Sequence, residues 1–183
     1  HATKIENSVR TLNNLLTSVL FFGKADENKM EYKPKKMYLG AFVKELMAGI
    51  KAGIENDVKV KVELGDLPKT ITTDSELLYQ IFDNLLSNGT KYSKDGQEVL
   101  FKLDFQDDKL IGTVIDNGIG IPKAEQGQLF ERFFRAKNVG IVEGSGLGLS
   151  IVKKCIEVMK GEITFKSEPL VETVFKVVIP VNK

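Results

Sequence analysis

The first residues of the chain carry a hydrophobic repeat that is typical of a helix in a coiled coil or a helical bundle. Apolar side chains recur at alternating spacings of four and three residues, at Ile5, Val9, Leu12, Leu16 and Val19. This repeat predicts a helix over residues 3–22 that ends at Gly23. The polar stretch of residues 24–34 lacks the repeat and predicts a linker.

Beyond the linker, stretches with helical and with strand periodicity alternate along the chain. Helical spacing predicts helices over residues 39–55, 73–92 and 147–160. Thr73 and Glu76 form a capping box for the second helix, and Gly161 stops the third. Alternating apolar and polar residues predict strands over residues 58–64, 99–105, 110–115, 163–166 and 174–179, with a short one around Ile71. This order indicates a mixed sheet with helices on one face.

Composition narrows the classes of function. The chain has 183 residues, 42% of them hydrophobic, which is enough for one domain with a core. Its 26 Lys and Arg residues nearly balance 25 Asp and Glu residues, which argues against a nucleic-acid-binding protein. No apolar run has the length of a membrane-spanning helix. The single Cys155 excludes an internal disulfide and favours a reducing compartment, and the single His1 excludes a histidine-rich metal site.

A glycine-containing loop follows the predicted strand 110–115. It reads Asp116-Asn-Gly118-Ile-Gly120-Ile-Pro. Glycines this close to a strand end let a backbone or a ligand approach where a side chain would block it. An aspartate at the strand end is placed to accept a hydrogen bond from a ligand amine. A tight turn closed by a capping aspartate explains the same residues, so both interpretations stay open.

A second glycine-rich turn leads into the predicted helix 147–160. It reads Gly144-Ser-Gly146-Leu-Gly148-Leu. The unpaired N–H groups and the dipole at a helix N-terminus both favour an anion such as phosphate. The turn is not a Walker A loop, because no Lys-Ser or Lys-Thr follows. It is not the dinucleotide-binding fingerprint, because Leu149 stands where the last glycine belongs.

Polar residues form a stripe on the predicted helix 73–92. Asn84, Asn88 and Lys91 lie on one side of it, beside its apolar face. Two mid-helix asparagines and Gly89 cost the helix about 1–2 kcal/mol relative to alanines. Oxygen ligands for Mg²⁺ and an ammonium group for phosphate would offset that cost. The alternative is a solvated helix face.

Four motifs together resemble the sequence boxes of sensor histidine kinases. Residues 84–93 (NLLSNGTKYS) resemble the N box, 116–122 (DNGIGIP) the first glycine box, 129–135 (LFERFFR) the phenylalanine box and 144–149 (GSGLGL) the second glycine box. The resemblance covers about residues 39–180. It implies the Bergerat ATP-binding fold, an α+β two-layer α/β sandwich with a mixed sheet and helices on one face, preceded here by one long helix. It also implies ATP and Mg²⁺ as ligands and a lid over residues 136–143.

At the adenine, the resemblance implies roles for four residues. Asp116 would accept a hydrogen bond from the amino group, directly and through water. Gly118 and Gly120 would let the backbone close over the base. Thr173, in the Thr-x-Phe sequence before the last predicted strand, would support the adenine contact, although Val171 and Glu172 replace the glycines that usually precede it in the family.

At the phosphates, the resemblance implies a larger set. Asn88 would hold Mg²⁺, with Asn84 assisting. Lys91 and Tyr92 would contact phosphates or ribose, and Arg135, together with Arg132, would neutralise charge on the transferred phosphoryl group. The second glycine box would cradle the phosphates with Gly144, Gly146, Leu147 and Gly148. The catalytic residues would thus be Asn84, Lys91, Arg132 and Arg135.

Asn84 separates two branches of the superfamily that the resemblance implies. Gyrase-like ATPases carry a glutamate there as general base for an attacking water. An asparagine cannot take up a proton at neutral pH, so hydrolysis should be slow. The site would instead await a nucleophile from another domain, which fits transfer to a histidine.

The acceptor histidine is not expected within this chain. Residues 1–23 resemble the second helix of the family's dimerisation and phosphotransfer domain, residues 24–38 are the linker and residues 39–183 the catalytic ATP-binding domain. The acceptor belongs on the first helix, and nothing that follows His1 resembles its motif. We therefore expect a fragment that does not phosphorylate itself.

The resemblance implies the ATP-binding module of a sensor histidine kinase in a two-component system. Its partners would be the acceptor-histidine domain of the parent kinase, a response-regulator receiver domain and a second copy of the parent in a homodimer, with no nucleic acid. We expect a cytoplasmic location, with the parent anchored or not through segments outside this sequence. Two alternatives are a nucleotide-binding pseudokinase or regulatory module and an anti-sigma-type serine kinase on the same fold. Gly89-Thr90 and Lys160-Gly161 depart from the family pattern.

Overall fold

The computed structural model describes residues 30–54, 57–140, 142 and 144–181, together with Leu16 and Gly23. Leu16 and Gly23 are both helical, so a helix precedes the sheet domain as predicted. Gly23, the predicted stop of that helix, is itself helical, so the predicted stop is wrong. The rest of the predicted helix 3–22 and linker residues 24–29 lie outside the described residues.

Three α-helices and seven strands make up the described domain. The helices are α1 (Leu39–Gly53), α2 (Ser75–Tyr92) and α3 (Gly148–Val158). The strands are β1 (Lys35–Tyr38), β2 (Lys59–Leu64), β3 (Thr70–Thr73), β4 (Glu98–Gln106), β5 (Lys109–Asp116), β6 (Glu162–Glu168) and β7 (Glu172–Pro180). Short 3-10 helices span Lys123–Gln128 and Lys137–Val139. None of the helices in these ranges is long and apolar enough to cross a membrane.

Five strands form a mixed sheet in the order β2-β4-β5-β7-β6. β2 and β4 are parallel, and the other neighbours are antiparallel. The apolar side chains of the helices pack on one face of this sheet. Phe82 of α2 lies 5.1 Å from the ring of Phe101, and a Cβ at Gly112 would lie 2.2 Å from the Phe82 ring, so a side chain there would displace the ring. The predicted α+β two-layer fold is confirmed.

The start of α2 differs from the predicted capping box. Asp74, not Thr73, is the N-cap, and its Oδ1 accepts hydrogen bonds from the N–H groups of Glu76 and Leu77, both at 3.1 Å. Its Oδ2 accepts from the N–H of Lys33 at 2.9 Å. Asp74 thus accepts hydrogen bonds from N–H groups that have no partner within the helix, and it also bonds the preceding chain to the start of the helix.

A strand lies where the sequence predicted only linker. β1 pairs with β3 in a separate two-stranded antiparallel sheet, with Lys35 opposite Thr73 and Tyr38 opposite Thr70. Most of its side chains are exposed, so it carries no apolar alternation that would have revealed it.

The end of α3 is formed by Lys160 rather than by Gly161. Lys160 has a left-handed backbone with φ +54°. Its N–H donates to the carbonyl of Glu157, and the Gly161 N–H donates to that of Ile156, which is the Schellman pattern. Gly161 is needed for a different reason, since a Cβ there would lie 2.6 Å from the Val178 carbonyl oxygen. The helix therefore ends one residue earlier than predicted, at Lys160.

Replacing Lys160 by Gly should stabilise the fold. A non-glycine residue in the left-handed region carries a backbone cost of about 1 kcal/mol, which glycine avoids. We expect the free energy of unfolding in urea to rise by about 0.5–1 kcal/mol for Lys160→Gly. Lys160→Ala, which keeps the Cβ, should stay within about 0.5 kcal/mol of the original chain. Equal stability of the glycine and alanine variants would contradict this account of the helix end.

Candidate functional site

Asp116 lies at the end of β5 and is almost buried, with 6% of its surface exposed. Its Oδ1 accepts a hydrogen bond from the Gly118 N–H at 3.0 Å. Burial raises the pKa of Asp116 to about 6, and the bond from Gly118 opposes that rise. The tight-turn interpretation is therefore correct for the backbone. The buried carboxyl group is in addition an acceptor of the kind that a ligand amine needs.

The loop after Asp116 packs closely on neighbouring backbone. A Cβ at Gly118 would lie 2.3 Å from the carbonyl oxygen of Tyr92, at the end of α2. That same oxygen accepts a hydrogen bond from the Ile119 N–H at 3.2 Å. Gly120 has φ +64°, and a Cβ there would lie 2.6 Å from Cα of Pro169. Close contacts thus require glycine at both positions, and at Gly120 the left-handed backbone requires it as well.

Two hydroxyl side chains lie beside Asp116 in the sheet. The register pairs Asp116 with Thr173 on β7, and Thr173 with Ser167 on β6. Thr173 is 4% exposed, and its Oγ1 lies 2.9 Å from the Ser167 Oγ. The Ile121 N–H donates to the same Ser167 Oγ at 2.9 Å. Thr173 therefore lies next to Asp116, inside β7 rather than before it.

The second glycine-rich turn begins α3. Leu147 is the N-cap of the helix, and no side chain caps its first turn. Gly146 has φ +72°, and a Cβ there would lie 2.7 Å from the carbonyl carbon of Phe133. The turn thus packs on the phenylalanine box while the N–H groups of the first turn of α3 lack a side-chain cap. This is the arrangement that favours an anion at a helix N-terminus.

The polar stripe of α2 faces this turn. A Cβ at Gly148 would lie 2.7 Å from Asn84 Oδ1, and one at Gly144 would lie 2.7 Å from Lys91 Nζ. Asn84 donates its amide N–H to the Gln80 carbonyl at 2.7 Å, which orients its oxygen toward the turn. Asn88 is half-buried on the same side of the helix. Asn84 and Lys91 therefore lie against the glycine turn.

Positive charge gathers at this end of the site. Lys91 Nζ lies 5.3 Å from the centre of the Tyr92 ring. Arg135 donates to the carbonyl of Gly144 at 2.7 Å and also to that of Val142. Burial raises the pKa of Tyr92, and the nearby Arg135 guanidinium opposes the rise. Arg132 and Arg135 are both exposed, and Arg135 contacts the glycine turn.

The loop after Asp116 is also held by the side-chain amide groups of two residues that the sequence motifs did not indicate. Asn138, in the predicted lid, donates to the Gly120 carbonyl at 2.8 Å. Gln126 donates to the carbonyls of Ile121 at 3.1 Å and Ser167 at 3.0 Å. Ser167 was also missed. Ser167 is identified by its position opposite Thr173 in the sheet. That pairing is set by the register of the β6–β7 hairpin, and no sequence motif indicates it.

The residues present fit a Mg²⁺ ion of the kind that binds with a nucleotide. Mg²⁺ prefers oxygen ligands and is commonly held by one or two side chains together with substrate phosphates. Asn84 presents an amide oxygen to the glycine turn, and Asn88 lies one helical turn further along the same side.

Residues 73–183, more than half of the chain, match the model of the family described as histidine kinase-, DNA gyrase B-, and HSP90-like ATPase. The chain is 31% identical over 184 residues to the adaptive-response sensory kinase SasA of Crocosphaera subtropica, covering 97% of this chain and 47% of the relative. It is 33% identical over 188 residues to the sensor histidine kinase RcsC of Escherichia coli K12, covering 97% of this chain and 19% of that protein. The chain thus spans about half or less of the length of these relatives.

A solved structure supports the fold. Full-length ShkA in complex with AMPPNP superposes with a TM-score of 0.82 at 22% sequence identity, over 99% of this chain and 38% of that one.

Replacing Asp116 by Asn should stabilise the chain at neutral pH and leave its stability almost unchanged in acid. Burial raises the folded-state pKa to about 6 from the ordinary 3.8, so the penalty for ionising Asp116 is absent below about pH 4 and complete above pH 6. The stability difference between the variant and the original should grow by about 2–3 kcal/mol across this window. Urea unfolding at a series of pH values measures it.

The exposed Asp66→Asn variant controls for the change in net charge. If Asp116→Asn raises the free energy of unfolding by the same amount at pH 4 and at pH 8, the result would contradict a raised pKa at Asp116.

Proposed function

This chain belongs to the family of histidine kinase-, DNA gyrase B-, and HSP90-like ATPases as the ATP-binding catalytic domain of a sensor histidine kinase, and we propose that it transfers the γ-phosphoryl group of ATP to a histidine on a dimerisation domain. The observation that carries the proposal is the polarity of the site. A buried acceptor, Asp116, lies at one end, and Lys91 and Arg135 flank an uncapped helix start at the other. ATP has a matching polarity, with an amino group on the base and anionic phosphates.

At the base end, we propose that Asp116 accepts a hydrogen bond from the adenine amino group. Gly118 and Gly120 keep the loop close to the backbone of Tyr92 and Pro169, so that the base meets no side chain there. Thr173, buried beside Asp116, supplies a hydroxyl group to the same edge of the base. A buried carboxylate that gains a donor recovers part of its desolvation cost, which makes binding selective for an amine.

At the phosphate end, we propose that Lys91, Tyr92 and the turn Gly144–Gly146–Leu147–Gly148 hold the phosphate groups. The backbone N–H groups at the start of α3 supply fixed donors, and Lys91 supplies a charge. Arg135 neutralises charge that develops on the transferred group, and the exposed Arg132 assists it. In this arrangement catalysis consists of positioning and charge neutralisation.

We propose that Asn88 holds Mg²⁺ and that Asn84 assists through the oxygen that its bond to Gln80 orients. The ion, when bound, neutralises phosphate charge. Asn84 has no basic group with which to activate water, which favours a nucleophile from another domain over hydrolysis.

The proposed partners follow from this chemistry. They are an acceptor-histidine domain, a second copy of the parent kinase and a response-regulator receiver that takes the phosphoryl group onto an aspartate. The dependence on ATP and the buried thiol of Cys155 agree with a cytoplasmic location. The regulatory-module and serine-kinase alternatives are separated from this proposal by the two experiments below.

The first experiment is calorimetric titration of the chain with ADP, with and without Mg²⁺. We expect Mg²⁺-sensitive binding that weakens about 10- to 100-fold in Asp116→Asn, because a hydrogen bond to a charged acceptor is lost. Asp66→Asn is the matched control and should bind like the original chain. If Asp116→Asn binds ADP as tightly as the original chain, the base does not contact Asp116. Absence of binding to the folded original chain would favour the regulatory module.

The second experiment is phosphotransfer from labelled ATP to a separately supplied two-helix acceptor domain from the parent kinase. We expect label on the acceptor histidine, in the acid-labile form of a phosphoramidate, and none on this chain alone. Arg135→Ala should slow transfer about 100-fold or more while ADP binding changes less, and Arg135→Lys should lie between. Acid-stable label on serine would support the serine-kinase alternative instead.

A further inference from the structure

The segment that carries Arg135 is attached to the loop after Asp116 by Asn138, three residues further along the chain. The side-chain nitrogen of Asn138 lies 2.8 Å from the Gly120 carbonyl oxygen and 3.5 Å from that of Ile119. A backbone carbonyl can only accept a hydrogen bond, so the direction is fixed and Asn138 is the donor. Asn138 thus bonds the start of the predicted lid to the Asp116 loop.

The Gly120 carbonyl depends on this bond because Gly120 is buried. Among the described residues, no backbone N–H outside the regular ladders donates to its oxygen, and the Asn138 amide is the donor that reaches it. A buried carbonyl group without a donor costs free energy, so the bonded position of Asn138 is favoured. Asn138 itself is exposed, and the bond therefore holds an exposed segment on a buried group.

A second hydrogen bond fixes the residue before Asn138. The Lys137 N–H donates to Glu125 Oε2 at 2.9 Å. Glu125 lies in the short 3-10 helix Lys123–Gln128, which follows the Asp116 loop. Two consecutive residues of the segment are thus anchored on the same part of the molecule.

The other side of Arg135 is held against the glycine turn. A Cβ at Gly146 would lie 2.8 Å from the carbonyl oxygen of Phe134, so the backbones of the two residues pack closely. Arg135 donates to the Gly144 carbonyl at 2.7 Å. A guanidinium group has five N–H donors, so Arg135 keeps donors for a phosphate group. Its position depends on the packing at Phe134 on one side and on the anchor at Asn138 on the other.

We propose that Asn138 is a positioning residue for phosphoryl transfer, because its bond to the Gly120 carbonyl keeps Arg135 aligned with the phosphate groups at the glycine turn. This inference rests on the proposed function, since it assigns Arg135 to the transferred group. Asn138 does not contact the nucleotide in this role. It acts through the backbone of residues 136–138, which joins the anchored amide to Arg135.

Loss of the Asn138 bond should lower kcat for transfer, and kcat distinguishes this role from a general loosening of the site. Without the anchor, the exposed Arg135 would spend part of its time turned away from the phosphate groups. A charged donor that is in place for only part of the time stabilises the transition state less. Loosening the Asp116 loop alone would instead raise KM for ATP and leave kcat unchanged, because it weakens the ground state and the transition state equally.

Asn117 provides a matched control in the same loop. It is exposed, and its side-chain amide donates to the Val171 carbonyl at 3.0 Å. That bond joins the Asp116 loop to the β6–β7 hairpin and not to the segment that carries Arg135. The same substitution at Asn117 therefore loosens the loop without releasing the arginine.

The test is phosphotransfer from labelled ATP to the two-helix acceptor domain, with kcat and KM for ATP measured at saturating acceptor. We expect Asn138→Ala to lower kcat about 3- to 10-fold, which is the size of effect that one hydrogen bond gives. Asn138→Asp keeps the shape of the side chain but cannot donate, so it should lower kcat at least as much. Asn117→Ala and Asn117→Asp should leave kcat unchanged, whatever their effect on KM.

A double-mutant cycle tests whether Asn138 acts through Arg135. In Arg135→Ala the group that Asn138 positions is missing, so adding Asn138→Ala should lower kcat no further. If Asn138 supported the site independently of Arg135, the two losses in kcat would multiply.

The outcomes separate this inference from the proposed function. A folded original chain that transfers no label to the acceptor histidine, or an Arg135→Ala variant with the original kcat, would overturn the proposed function. If both of those results are as expected, any one of three results overturns the inference alone. They are an unchanged kcat in either Asn138 variant, multiplied losses in the double mutant, and a loss in Asn117→Ala equal to that in Asn138→Ala. If Asn138→Ala does not fold, as judged by its urea unfolding curve, Asn138→Asp replaces it in the cycle.

Discussion

The burial of one carboxyl group, that of Asp116, is the constraint on which the whole site depends. Asp116 ends β5, the middle strand of the five-stranded sheet, with β4 on one side and β7 on the other. A charged group so placed costs free energy unless donors surround it, and the raised pKa of Asp116 shows that the Gly118 N–H alone does not suffice. A fold optimised only for stability would place a neutral residue here. In the proposed function, the amino group of the base supplies the missing donor.

The neighbours of Asp116 are small because α2 must come close to it. Gly89 stands where the family usually has alanine, and it costs the helix about 1 kcal/mol relative to alanine. A Cβ there would lie 3.1 Å from a Val99 methyl group and 3.7 Å from the Cβ of Asp116. Glycine therefore lets the last turns of α2 lie against β4 and β5, where the Tyr92 carbonyl reaches the Ile119 N–H. This departure from the family pattern lowers the helix propensity of α2 and allows α2 to pack more closely on the sheet.

Local periodicity and turn chemistry were sufficient to predict the helices, the sheet strands and both glycine turns. Prediction failed where a residue's role depends on a distant segment. β1 has few buried side chains and is defined by its pairing with β3, so its sequence resembles a linker. Thr73 and Asp74 are both good capping residues, and the choice of Asp74 also involves its bond to Lys33. Ser167 has no motif of its own that we recognised, and its importance appears only when the hairpin register places it beside Thr173.

Tyr92 and the segment of residues 135–138 each contact both ends of the site. Tyr92 holds the Asp116 loop through its carbonyl oxygen, while its ring lies beneath Lys91 at the glycine turn. Asn138 holds the Gly120 carbonyl, and Arg135, three residues earlier, holds that of Gly144. In the proposed function, the loop at the base and the turn at the phosphate groups are therefore both held by side chains of residues 135–138.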